Sequence, residues 1–154
     1  MNLKIKGKTA FITGGANGIG EEISEKLASE GVNILITTRD RKNLIRLKKK
    51  LSRYSVKVDG VVLDFLKKGY VLKIQKFFKK KQIDILINNA GHNLNVTDPY
   101  CARKEWNRVL ELNFFNTVEI CNLVIPEMKK NGWGRIVNIT SCAGLENMGP
   151  ITYG

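Results

Sequence analysis

Thr9-Ala10-Phe11-Ile12-Thr13-Gly14-Gly15-Ala16-Asn17-Gly18-Ile19-Gly20 is the stretch on which the fold turns. Its first half, Thr9 to Thr13, is short, apolar and β-branched, the composition of a buried strand. Its second half is a glycine-rich turn. Glu21 to Glu30 follows with Ile23 and Leu27 at helical spacing, and Gly31 ends the helix. A strand that passes through glycines into a helix is suited to phosphate. Gly14 lets the chain leave the strand sharply, Gly18 lets backbone approach a pyrophosphate, and Gly20 lets helix and strand pack closely. The helix N-terminus adds unpaired N–H donors and partial positive charge. Gly14, Gly15, Asn17, Gly18, Ile19 and Gly20 are therefore candidate cofactor-binding residues.

Outward from this stretch, the same alternation repeats. Val32–Thr37, Val56–Leu63, Ile83–Ile87 and Arg135–Thr140 read as further strands. Helices are expected over Asp40–Tyr54, around Tyr70–Lys80 and, as one long rod, over about Lys104–Lys130. Leu44, Leu47 and Leu51 give the first of these its apolar face, and Leu72, Phe77 and Phe78 the second. Gly91–Tyr100 is a polar loop. Continuous apolar strands alternating with helices make a parallel sheet covered on both faces. With right-handed crossovers this is an α/β doubly wound fold in one domain spanning 1–154.

Composition narrows the function. The chain has 154 residues, 43% of them hydrophobic, with six Phe, four Tyr and two Trp, which excludes intrinsic disorder. Lys and Arg number 26 against 14 Asp and Glu, a net charge of +12. The lysines alternate with apolar residues at helical spacing and read as solvated helix faces, so no nucleic-acid partner is expected, and no run approaches the ~18 apolar residues of a membrane span, so no membrane partner is expected either. Cys101, Cys121 and Cys142 form no C-x-x-C pair, which fits a reducing cytoplasm rather than a disulfide framework or zinc site. His92 is the single histidine, and no metal site is expected. His92, Trp106 and Trp133 read as loop or packing residues.

Several ordered motifs resemble the classical short-chain dehydrogenase/reductase family. They are Thr13-Gly14-x-x-x-Gly18-Ile19-Gly20, Asn88-Asn89-Ala90-Gly91, Leu112-Asn113-Phe114, Arg135-Ile136-Val137-Asn138-Ile139-Thr140-Ser141 and Tyr153-Gly154. The resemblance implies a Rossmann fold that binds a nicotinamide cofactor and moves hydride between it and a carbonyl or alcohol. It adds Asn89, Ala90 and Gly91 to the cofactor-binding set, with Asp64 and Phe65 at the adenine end, although Asp64 alone also reads as a helix cap.

The end of the second strand sets the cofactor. Thr38 stands where NAD-specific members carry Asp, and Arg39 follows with a fork suited to a 2′-phosphate. NADP(H) is favoured. NAD(H) remains possible, because a shift of register brings the Asp40 carboxylate near the ribose. The resemblance assigns acid/base chemistry to Tyr153, substrate-oxygen binding to Ser141 and a water-holding place to Asn113. Ser141 and Tyr153 are twelve residues apart where the family commonly has thirteen, a spacing that Thr140 satisfies; Ser141-Cys142-Ala143-Gly144 matches the Ser-x-Ala-Gly pattern, and Leu145–Pro150 would line the pocket. The lysine of Tyr-x-x-x-Lys falls at position 157, beyond Gly154. The chain therefore reads as the N-terminal portion of such an enzyme, with five strands and two missing, and a marginal, sticky fifth-strand edge. The expected partners are a small carbonyl or alcohol substrate and a second copy of the chain, in a dimer or tetramer that packs the long helix around Val109 to Ile125. A nucleotide-binding module without catalysis is the alternative.

Overall fold

A computed structural model describes residues 3–144. Five parallel strands form one sheet: β1 (Thr9–Ile12), β2 (Asn33–Thr38), β3 (Val58–Val62), β4 (Ile85–Asn88) and β5 (Arg135–Asn138). Their order is β3-β2-β1-β4-β5. The chain winds outward from β1 to β3, then returns to the other side of β1 to place β4. The C-terminal ends of β1 and β4 thus meet where the winding reverses, the place where an open parallel sheet leaves a crevice for a ligand.

Side chains alternate across the strands and feed two cores. Ala10, Ile12, Ile34, Ile36, Ile85 and Ile87 face α1 (Gly18–Ser29) and α2 (Arg41–Leu51), where Ala28, Leu44, Leu47 and Leu51 receive them. Phe11, Leu35 and Leu86 face the opposite way, against Tyr70 and Ile74 of α3 (Tyr70–Phe78) and Ile120, Val124 and Met128 of α5 (Asn116–Lys130). Strands buried on both faces read as continuous apolar runs for this reason. The hydroxyl of Tyr70 donates to the Glu119 carboxylate, tying α3 to α5; burial, then that carboxylate, raises the Tyr70 phenol above its ordinary value.

Three sequence expectations need correction. The apolar face of α3 runs through Tyr70 and Ile74 to Phe77 and Phe78, while Leu72 lies on the solvent side with 62% of its surface exposed. The rod over Lys104–Lys130 is not one regular helix: α4 (Arg103–Leu110) passes through a wider π turn, Glu111–Phe115, into α5. The third strand is shorter than Val56–Leu63, because the backbone pairing with β2 covers only Val58 to Val62. β5 ends the sheet among the described residues, and all of its residues are exposed. No described helix is long and apolar enough to cross a membrane.

Candidate active site

The turn after β1 is braced by hydroxyl groups. Gly14 N donates to Thr37 Oγ1 at 2.9 Å and Gly15 N to the Thr37 carbonyl at 3.2 Å, so the end of β2 holds the start of the turn. Ser24 Oγ lies 2.9 Å from the Gly15 carbonyl oxygen and 2.8 Å from that of Gly20, pinning the turn to α1. Gly14 and Gly18 have φ of +64° and +51°, the left-handed region that favours glycine. A Cβ at Gly20 would lie 2.4 Å from the Gly14 carbonyl oxygen and 2.6 Å from Asn89 Nδ2. A Cβ at Gly15 would lie 2.4 Å from Ile36 Cγ2. Space beside Gly18 is open, as an approaching ligand requires.

The first turn of α1 is uncapped. Asn17 occupies the N-cap position in extended backbone, but its side chain makes no cap bond. Among the described residues no group accepts from the N–H of Gly18, Ile19 or Gly20. These donors and the helix dipole point to an anion.

The end of β4 is locked onto this turn. Thr13 Oγ1 accepts from Asn89 N and Ala90 N, both at 2.9 Å. Asn89 Nδ2 donates to the Thr13 carbonyl at 3.0 Å and the Gly14 carbonyl at 3.4 Å. Beyond it, Asn113 clasps the next residue of the loop. Its Oδ1 accepts from His92 N at 2.9 Å, and its Nδ2 donates to the His92 carbonyl at 2.9 Å and the Val109 carbonyl at 2.8 Å. A Cβ on Gly91 would lie 2.7 Å from Asn113 Oδ1, so only glycine permits this approach. Asn113 sits inside the π turn, whose extra residue re-aims the helix as such turns do at functional sites. His92 braces its own loop, its Nδ1 accepting from Leu94 N at 2.8 Å.

The other strand ends complete the crevice. Thr38 closes β2, its Oγ1 accepting from Asp40 N at 3.3 Å. Arg39 is exposed, with no ion pair or hydrogen bond among the described residues. The Asp40 carboxylate caps α2, accepting from Lys42 N at 2.8 Å. Leu63 N donates to the Thr38 carbonyl at 2.9 Å, which sets Asp64 beside this end. Asp64 Oδ1 accepts from Leu66 N at 3.0 Å and shapes the turn containing the buried Phe65; the cap of α3 is Gly69 instead. Ile139 N donates to the Asn88 carbonyl at 2.8 Å, bringing the end of β5 beside the Asn88–Gly91 segment. Ser141 follows, exposed, its Oγ accepting from Ala143 N at 3.2 Å. Tyr153 and Leu145–Pro150 lie outside the described residues. Among the described residues no cluster of His, Cys, Asp and Glu is placed to hold a metal ion.

The profile described as short chain dehydrogenase matches residues 8–153. The chain belongs to the short-chain dehydrogenase family. Among curated relatives, it is 34% identical to the 3-oxoacyl-[acyl-carrier-protein] reductase of Aquifex aeolicus, over 99% of this chain and 63% of that protein. It is 36% identical to the reductase of the same name from Buchnera aphidicola, over 98% of this chain and 62% of that one. Among solved structures, L-sorbose reductase of Gluconobacter frateurii, complexed with NADPH and L-sorbose, superposes with a TM-score of 0.90 at 30% identity, over 99% of this chain and 60% of that one. A 7α-hydroxysteroid dehydrogenase complexed with NADH and 7-oxo glycochenodeoxycholic acid gives 0.89 at 29%, over 99% and 60%. The chain spans less than two thirds of the length of these relatives.

Sequence reasoning overlooked the groups that brace these motifs. Thr13, Thr37 and Ser24 place hydroxyls against the glycine turn, and only Thr13 stands inside a quoted motif. The larger omission is Arg46 on α2. Its Nη2 lies 2.6 Å from the Ala16 carbonyl oxygen and 3.1 Å from Asn17 Oδ1. Its two terminal nitrogens grip the Glu21 carboxylate at 2.8 and 2.7 Å. Lys50 adds a bond to Glu21 at 3.1 Å and one to Glu25 at 2.6 Å. The Arg46 fork holds the Glu21 carboxyl below its ordinary value of 4.5, with Lys50 acting in the same direction. No signal in the sequence marks Arg46, because its spacing from Asn17 and Glu21 obeys no local period.

Proposed function

We propose that the protein is a cytoplasmic NADP(H)-dependent oxidoreductase acting on a carbonyl/alcohol pair, with 3-oxoacyl thioesters, small ketones and sugars as the substrate class. The observation that carries this reading is the uncapped α1 N-terminus beside glycines where a Cβ has no room, joined to the Asn89–Gly91 segment. These residues fit a dinucleotide: unpaired N–H groups and the helix dipole for the pyrophosphate, and open space at Gly18 for its approach. Gly14, Gly15, Asn17, Ile19 and Gly20 shape that cradle, and Ala90 and Gly91 border the nicotinamide end.

NADP(H) is supported at the adenosine end by two observations. Thr38 carries no charge, and the Asp40 carboxylate is engaged as a helix cap rather than turned toward a ribose. Arg39 is exposed and unpaired among the described residues, available to a 2′-phosphate through its planar fork. Asp64 and Phe65 border the adenine.

When bound, the nicotinamide supplies or accepts the hydride. The Ser141 hydroxyl donates a hydrogen bond to the substrate oxygen and fixes its direction. Tyr153 gives that oxygen its proton in reduction and takes it back in oxidation. A phenol with an ordinary pKa near 10 needs a neighbouring cation to serve near neutrality. Both N–H groups of the Asn113 side chain are already spent, so it receives a water through the remaining lone pair of Oδ1 while clamping the loop at His92. In the assembled protein a second copy packs along α4 and α5, supported by the exposure of Leu110, Phe114, Phe115 and Val118 there.

NADPH oxidation followed at 340 nm, with 3-oxoacyl thioesters, ketones and ketoses as substrates, tests the reading. In a protein carrying the lysine four residues after Tyr153, turnover with NADPH that Tyr153→Phe abolishes is the expected result. Tight NADPH binding with no turnover across the panel would instead leave a nucleotide-binding module.

A further inference from the structure

Asn is among the best helix N-caps, because its side-chain oxygen accepts from the second or third N–H of the helix. Asn17 stands at the N-cap of α1 with extended backbone suited to that bond, and does not make it. Its Oδ1 is turned to Arg46 Nη2 at 3.1 Å. The same nitrogen takes the Ala16 carbonyl at 2.6 Å, so one guanidinium engages the backbone of the turn and the side chain that would cap the helix. The guanidinium is itself fixed by both oxygens of Glu21, a buried carboxylate in the first turn of α1. Lys50 shares the Glu21 Oε1 that Arg46 Nη1 holds, at 3.1 Å.

We infer that Arg46 is a positioning residue that keeps α1 uncapped, holding Asn17 aside so that the N–H groups of Ile19 and Gly20 stay available to the dinucleotide phosphates. The inference rests on the dinucleotide reading of the cradle and assigns to α2 a part that none of the glycine motif carries. Without Arg46, the Asn17 oxygen closes onto the Ile19 or Gly20 N–H. The phosphate then has to displace a cap before it binds. Arg46 acts through Asn17 and touches no reacting atom.

A double-mutant cycle on the purified full chain separates this from a general effect of charge or fold. NADPH binding is measured by fluorescence titration for the wild type, Arg46→Met, Asn17→Ala and the double variant. Arg46→Met weakens binding roughly fivefold, the strength of one N-cap. In the Asn17→Ala background the same change costs less than about twofold, because no cap remains to compete. An equal loss in both backgrounds would show that Arg46 acts through its charge alone and overturn the inference, as would no loss in either. Amide hydrogen exchange on the unliganded protein gives an arm that needs no nucleotide. Arg46→Met slows exchange at Ile19 or Gly20 relative to wild type, and unchanged exchange would sink the uncapping role. A wild type that binds no NADPH would remove the dinucleotide reading, and the exchange result would still decide what Arg46 does.

Discussion

β1 and β5 are each four residues long, and both pair in parallel with β4. Ala10, Phe11 and Ile12 of β1 have no solvent exposure, whereas Ile136 and Val137 of β5 expose 37% and 45% of their surface. The ends of these strands differ in the same way. The turn after β1 is held by Thr13, Thr37, Ser24, Asn89 and Arg46, while among the described residues Ser141 after β5 has only its own local turn. The nucleotide side of the crevice is thus built and braced within residues 3–144. The proposed chemical side, at Ser141, is placed by the sheet but not enclosed there.

The sharpest way to break this contrast is to truncate one apolar side chain on each side. Ile36 is fully buried on β2 and packs among the residues under α1 and α2. Ile36→Ala should cost about 2–5 kcal/mol, a lost transfer term plus a cavity. Val137→Ala on β5 should cost less than about 1 kcal/mol, since little surface is withdrawn from water there. Denaturant melts of both variants measure the difference. Equal losses would mean that β5 is covered in solution, and the contrast would vanish.

Arg39 sharpens the comparison within the nucleotide side itself. Arg39→Met should weaken NADPH binding by about 1.5–3 kcal/mol, one to two decades, and leave NADH binding nearly unchanged. Parallel titrations with the two cofactors read this directly. A uniform loss for both would assign Arg39 to general attraction rather than to the 2′-phosphate.

Gly20 tests how tightly that side is built. The added methyl of Gly20→Ala meets backbone, the Gly14 carbonyl oxygen at 2.4 Å, rather than the movable end of a side chain. Overpacking of this kind should cost about 1–3 kcal/mol. It should also weaken NADPH binding by moving the turn. Thermal melts and NADPH titration of one preparation separate the two effects; a variant as stable and as tight as wild type would show that helix and strand do not depend on this glycine.

What the sequence disclosed follows the same division. The glycine turn was legible because local backbone needs set it, and the strands because burial on both faces makes each a continuous apolar run, while the Asn88–Gly91 segment was read from its family resemblance. The face of α3 was misread at Leu72, since several apolar residues fit more than one helical phase and only the sheet chooses between them. The π turn at Asn113 was illegible: the side chain it carries bonds to Val109 and to His92, and the His92 partner comes from a distant loop. Arg46 was invisible for the same reason. Its partners Ala16, Asn17 and Glu21 lie on another element, and among many lysines and arginines on helix faces nothing local distinguishes it.

The smallest expected effect concerns acid. The Glu21 carboxyl is held below its ordinary value of 4.5, chiefly by its bond to Arg46. A carboxyl depressed on folding stabilises the native state above its unfolded pKa, and that contribution disappears as pH falls through the lower folded value. Stability should therefore decline as pH drops from about 4.5 downward, with Glu21 as one contributor. Glu21→Gln keeps the shape of the side chain and removes its titration. It should flatten part of the acid limb by less than about 1 kcal/mol, because Arg46 and Lys50 reach Glu21 from the solvent side. Denaturant melts at pH 3, 4 and 6 make the comparison. An unchanged acid limb would move the acid sensitivity to the other depressed carboxyls: Asp59 at the β3 edge, where burial raises the carboxyl but Lys48, the Gly60 N–H and Lys81 together hold it below its ordinary value, and Glu25, held low chiefly by Lys50.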